Sequence, residues 1–212
     1  MSMVTGTHWG QRDRLRLDIM VAARQRLTDG GFIALTMRDV AEDAGVSEDT
    51  FASFFRGAED LFATLFAQRL DDFHAEIAPA CRVAETGEQV IATVATAYLD
   101  VYRVFGRELN IWALVLGDHP AAGDIARPLV EASERVLATV GAALARTAKR
   151  PVTPDEMRLT LPFVWATITG LAEHVTGGRQ LLHACSWEQL LDFTARTLVA
   201  GLDARRDHES QE

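Results

Sequence analysis

The sequence predicts an all-α protein of about nine helices, with a small three-helix domain ahead of a larger helical one. Three observations predict it. Apolar residues recur at steps of three and four from Asp13 onward, no stretch alternates as a strand does, and Gly or Pro punctuates the segments where helices should end. Between Thr36 and Leu61, TMRDVAEDAGVSEDTFASFFRGAEDL, two short helical segments also meet at one glycine, the layout of a helix-turn-helix.

Leu15, Ile19, Ala22, Ala23 and Leu27 place a first helix over 13–29, ended by Gly30 and Gly31. Thr36 caps a second helix over 37–44, because Asp39 three residues later completes a short capping-box variant. Gly45 can take the left-handed turn at no Cβ cost, and Ser47 then caps a third helix over 48–54. The expected core of these helices is Ile19, Ala23, Leu27, Phe32, Val40, Ala41, Val46, Phe51, Phe55 and Leu61. A fourth helix runs from Glu59 to about Ala78, where Pro79 is expected to end it. Val90 through Phe105 give a fifth over 88–105, and Leu109, Trp112 and Leu116 give a sixth over 108–116. A long seventh, 122–149, precedes the break at Arg150–Pro154. Thr153 caps an eighth that reaches Thr176, with Pro154 as its first residue and Asp155 and Glu156 in the first turn, where they favour the helix dipole. Ser186 caps a ninth over 187–205. The domain boundary is expected between 58 and 59, giving domains 1–58 and 59–212.

A net charge of −9 over 212 residues excludes a protein that coats nucleic acid non-specifically, which needs a basic face. Residues 1–66 hold seven arginines against ten carboxylates, so that first part is itself acidic, at −3. Its arginines are placed rather than numerous: Arg12, Arg14 and Arg16 precede or open the first helix as a mobile arm, and Arg38 opens the second. Cys81 and Cys185 are far apart and show no metal spacing, as expected of a reduced cytoplasmic chain. There is no leader pattern and no apolar run near the roughly 20 residues of a membrane span, so no membrane partner is expected. His74, His119 and His183 have no zinc spacing, and His174 beside Glu173 reads as a surface or interface histidine. No nucleophile with its base, no phosphate loop and no nicotinamide fingerprint is readable, so no enzyme, cofactor or metal is expected.

Thr36, Val40-Ala41, Ala44-Gly45-Val46-Ser47, Thr50-Phe51, Phe55 and Glu59-Asp60-Leu61, preceded by Ala22-Ala23, Leu27 and Gly31-Phe32, resemble the tetracycline-repressor (TetR) family of transcriptional regulators. The resemblance covers roughly the first third of the chain. It implies that Ser47–Phe54 is the recognition helix that enters the major groove of a DNA operator. Ser47, Thr50 and Ser53 would then offer hydroxyls, with Glu48, Phe51 and Phe54 on the same helix, while Thr36, Arg38, Arg12, Arg14 and Arg16 meet the backbone. Two positions depart from the family pattern: Ala52 stands where a tyrosine is usual and Ala58 where a lysine is usual. Glu48 and Asp49 stabilise the helix as first-turn acids, and near DNA would repel phosphate unless one accepts from a cytosine amino group.

In the larger domain, helices five to eight carry Tyr98, Tyr102, Phe105, Trp112, Met157, Phe163 and Thr167, a set suited to a small hydrophobic effector or simply to core. The last two helices have more apolar surface than one face needs. The resemblance implies that they form the interface of a homodimer, here through Trp165, Ile168, Ala172, Val175, Leu190, Phe193, Thr197, Leu198 and Gly201. The larger domain is thus expected to bind ligand and to dimerise, and the continuous fourth helix to carry a ligand-dependent change to the DNA-binding part. The expected function is a ligand-responsive regulator, a repressor released from a palindromic operator. The alternative is a small-molecule-binding protein on the same fold with weak or lost DNA binding.

Overall fold

The computed structural model describes residues 5–106 and 122–209. These hold eight α-helices: α1 (Thr5–Gly30), α2 (Met37–Asp43), α3 (Glu48–Ala52), α4 (Ala58–Val83), α5 (Gly87–Phe105), α6 (Ala122–Thr147), α7 (Pro154–Thr176) and α8 (Trp187–Glu209). Short 3-10 turns lie at Phe32–Ala34 and Arg179–Leu182, and there is no strand among the described residues. The helix expected over 108–116, with Trp112, and the turn at His119 fall outside the described residues.

The described chain forms two compact units, 5–68 with 122–131, and 69–106 with 132–209. The divisions fall inside α4 and α6 rather than at 58.

In the first unit α1 begins at Thr5, eight residues before the expected start, so Arg12, Arg14 and Arg16 ride on a helix and not on an arm. Gly6 and Gly10 lie within the added part without ending the helix, and Gln11, Arg12, Arg14, Leu15, Arg16 and Leu17 after them are good helix formers. Ile19, Ala23, Leu27, Val40, Ala41, Phe51, Phe55 and Leu61 are buried as the periodicity requires, whereas Phe32 and Val46 are only half-buried. Each fully buried large apolar side chain contributes roughly 1.5–3 kcal/mol. Phe62 from α4 closes this core edge-on against Phe32, with ring centroids 5.5 Å apart.

The turn between α2 and α3 follows from Gly45. At φ +66 it lets the Gly45 N–H reach the Glu42 carbonyl at 3.1 Å and the Val46 N–H reach the Ala41 carbonyl at 2.9 Å. That pair of reversed bonds satisfies the last carbonyls of α2 and turns the chain into Ser47.

In the second unit α5 is the central helix, with Val90, Ile91, Val94, Ala95, Tyr98 and Val101 buried and contacts to both α7 and α8. The Thr86 and Thr153 side chains open α5 and α7 as complete capping boxes. α4 does not stop at Pro79 but continues to Val83. Proline costs one backbone bond there, yet Ile77 and Cys81 are buried on either side of it. Arg146 of α6 also donates to the Cys81 and Ala84 carbonyls at 2.7 and 2.8 Å, satisfying the helix end from a distant part of the chain. Pro128 and Pro162 are likewise inside α6 and α7.

Candidate nucleic-acid interface

The candidate interface is α2, the Gly45 turn and α3. Thr36 accepts from the Asp39 N–H at 3.1 Å and Ser47 from the Thr50 N–H at 3.1 Å, so both helices start at the caps the sequence assigns them. α3 ends at Ala52, two residues short of the expected limit, and Ser53 is its C-terminal cap.

Several hydroxyls of this surface are already engaged. Ser47 Oγ shares a 2.8 Å bond with Thr50 Oγ1, and Ser53 Oγ donates to the Thr50 carbonyl at 2.7 Å. Thr36 Oγ1 is the α2 cap. Phe51, expected among the DNA-contacting residues, is fully buried and cannot reach DNA; it is a core residue, with its ring centroid 5.7 Å from that of Phe55. Glu48 and Asp49 are exposed and form no ion pair or hydrogen bond through their carboxylates among the described residues. They lie in the first turn of α3, toward the positive end of its dipole.

The seven arginines of the region divide sharply by partner. Arg26 donates through Nε to Asp43 at 2.5 Å and lies 3.5 Å from Asp39, joining α1 to α2. That hydrogen bond holds the Asp43 carboxyl below the usual carboxylate range. Arg24 donates to Gln68 and Arg56 pairs with Asp124 at 3.9 Å. Arg12 donates to the Ser53 carbonyl at 3.5 Å with its guanidinium 5.2 Å from the Phe54 ring centroid, and Arg16 lies 5.6 Å from that of Phe55. Arg14 and Arg38 alone are exposed and without a partner among the described residues. Side-chain pairing of this kind carries no sequence signal beyond charge, so neither the Arg26–Asp43 link nor the Arg12–Phe54 contact was predictable.

Outside this unit, Tyr98, Tyr102 and Phe105 are buried on α5. Tyr98 meets Phe73 at 5.9 Å, Tyr102 at 6.1 Å and Trp165 at 4.8 Å, and burial raises the pKa of both tyrosines. Trp165, expected at an interface, thus stands with the aromatic group. Phe163 is 56% exposed on the opposite side of α7, and Met157 and Thr167 are half-buried, with the Thr167 hydroxyl donating to the Phe163 carbonyl. The seven expected effector residues therefore do not form one lining, and Trp112 lies outside the described residues.

Among the expected interface residues, Ile168, Ala172 and Leu198 are buried in the chain's own core and offer no free surface. Val175 and Leu190 are half-buried, and Phe193, Thr197 and Gly201 are exposed. Leu159 and Phe163, with Ala166 and Gly170, make the outward stripe of α7. A groove of about 640 Å³ runs between that stripe and Thr197, Gly201 and Leu202 of α8. Cys81 is buried and Cys185 exposed, both as free thiols. Among the described residues no group of three His, Cys, Asp or Glu is placed to hold a metal ion, and no helix is long and apolar enough to cross a membrane.

Residues 19–65 match the family model described as bacterial regulatory proteins, tetR family. No curated protein matches the chain. Among solved structures it is similar to the transcriptional regulator FadR from Bacillus subtilis in complex with stearoyl-CoA, at 17% identity and TM-score 0.64, covering 88% of this chain and 98% of that one. FadR from Bacillus halodurans, a fatty acid degradation regulator, matches at 17% identity and TM-score 0.62 over 89% and 96%. A TetR transcriptional regulator from Rhodococcus sp. RHA1 matches at 14% identity and TM-score 0.61 over 91% and 97%. Residues 19–65 thus match the tetR-family model, and the chain shares its fold with these solved structures.

Proposed function

We propose that this protein is a homodimeric, ligand-responsive repressor that leaves a palindromic DNA operator when a hydrophobic small molecule binds. The observation that carries the reading is the complete helix-turn-helix: two capped helices, a left-handed glycine turn and a buried Phe51, inside the matched stretch 19–65. In this reading the exposed face of α3 enters the major groove, and Arg14 and Arg38 neutralise phosphates. The dimer forms across the outward stripes of α7 and α8, where Leu159, Phe163 and Phe193 are 50, 56 and 65% exposed. Exposed Gly170 and Gly201 leave room for close approach of two such faces. The effector lies against Tyr98, Tyr102 and Phe105, and α4 carries the change. Long-chain acyl thioesters are the first effector class to test, given the ligand of the Bacillus subtilis FadR structure. The effector releases DNA only by binding the low-affinity geometry more tightly than the DNA-bound one.

A second reading, a small-molecule-binding protein with weak or lost DNA binding, is favoured by the exposed Glu48 and Asp49 carboxylates and by Ala52 and Ala58. Binding of the full-length protein to duplexes from the region upstream of its own gene, over a salt series, separates the two. Sequence-specific binding with a steep salt slope supports the repressor. No retention even at low salt supports the second reading.

A further inference from the structure

α3 is only five residues long and has no basic residue in its last turn, so nothing within it offsets the negative end of its dipole. That positive charge comes from α1. Arg12 and Arg16 are one helical turn apart and thus share a face of α1. The first places its guanidinium 5.2 Å from the Phe54 ring centroid and within 3.5 Å of the Ser53 carbonyl; the second lies 5.6 Å from the Phe55 ring. The two rings belong to the segment that leaves the recognition helix, and Phe55 is anchored in the core beside Phe51. Arg14, between them in sequence, points elsewhere on α1 and has no partner among the described residues.

We propose that Arg12 and Arg16 are positioning residues that hold the C-terminal end of the recognition helix, acting on DNA affinity through Phe54 and Phe55 rather than by neutralising phosphates. Arg14 is the arginine of α1 that meets phosphate. A flat guanidinium suits this role because it covers a ring and donates to a carbonyl at once, which a lysine ammonium cannot do in the same plane. The proposal rests on the DNA-binding reading.

The experiment uses full-length protein and a duplex that it enriches from a randomised pool, with affinity measured over a salt series. Arg14→Ala is expected to lower the slope of log affinity against log salt by about one, the signature of one lost phosphate contact. Arg12→Ala and Arg16→Ala are expected to weaken binding about two- to fivefold each with an unchanged slope. Phe54→Leu is expected to reproduce Arg12→Ala, and the double variant to be no weaker than either alone. In free protein, amide exchange at Ser53–Phe55 should quicken in Arg12→Ala, with only partial recovery in Arg12→Lys. A slope lowered by about one in Arg12→Ala, or additive effects of Arg12→Ala and Phe54→Leu, would overturn the positioning role while leaving DNA binding intact. Failure of the unaltered protein to enrich any duplex at low salt would overturn both.

Discussion

Neutralising the two unpaired carboxylates at the start of the recognition helix, by Glu48→Gln with Asp49→Asn, should move stability and DNA affinity in opposite directions. Both side chains are exposed, lie in the first turn of α3 and pair with no cation among the described residues. In the free protein each loses a favourable interaction with the helix dipole of about 0.3–1 kcal/mol, so the urea midpoint should fall slightly. On DNA each carboxylate repels the nearest phosphates. At about 6–8 Å in an aqueous dielectric, one such charge pair costs about 0.5–0.7 kcal/mol. Screening over a Debye length of about 8 Å at physiological salt reduces this by roughly half, and more than one phosphate contributes. The double variant should therefore bind about three- to tenfold more tightly at physiological salt, with the gain growing as salt is lowered. Fluorescence anisotropy on an enriched duplex gives the affinity, and urea unfolding gives the stability. An affinity loss of tenfold or more would refute the reasoning, because it would mean that a carboxylate accepts from a cytosine or adenine amino group and reads sequence.

Ser47→Ala removes the cap of α3 together with its bond to Thr50, and should cost about 1 kcal/mol in urea unfolding; no change would mean that the cap is dispensable. Phe163→Asp with Phe193→Asp places charge on the outward stripes and should give monomers by light scattering with helicity unchanged, whereas a persistent dimer would move the interface elsewhere. The Arg26–Asp43 link holds the Asp43 carboxyl below its ordinary range, so its contribution is full above that range and is lost as pH falls through the depressed value. The stability gap between the unaltered protein and Asp43→Asn should accordingly close on acidification, and a gap that persists well below the carboxylate range would count against the link.

Local chemistry made the first unit legible from sequence. Thr36, Ser47 and Thr153 cap helices because hydroxyls accept from N–H groups three residues on, and Gly45 turns the chain because it lacks a Cβ; both are properties of neighbours in sequence. Long-range partners were not legible. Pro79 looks like a stop until Arg146 supplies donors to the carbonyls beyond it, and the arginines of α1 look like an arm until Phe54 and Phe55 lie beneath two of them. Periodicity showed that α7 and α8 are apolar on more than one side. Periodicity does not say which side faces outward, so it places Ile168, Ala172 and Leu198 together with Phe193, although burial separates them. Phe51 has the same ambiguity: a residue on the recognition helix can face the groove or the core, and only the packing of Phe55 decides.

The position of α5 makes two of the proposed events one equilibrium. This helix carries Tyr98, Tyr102 and Phe105 and also lies against α7 and α8, whose far sides are the proposed dimer faces. A molecule lodged against those rings presses on the floor of the subunit contact, so effector affinity and self-association share a free energy and each must respond to the other. Protein concentration then becomes an effector in its own right: dilution that separates the subunits should alter how tightly the small molecule is held, even where no DNA is present.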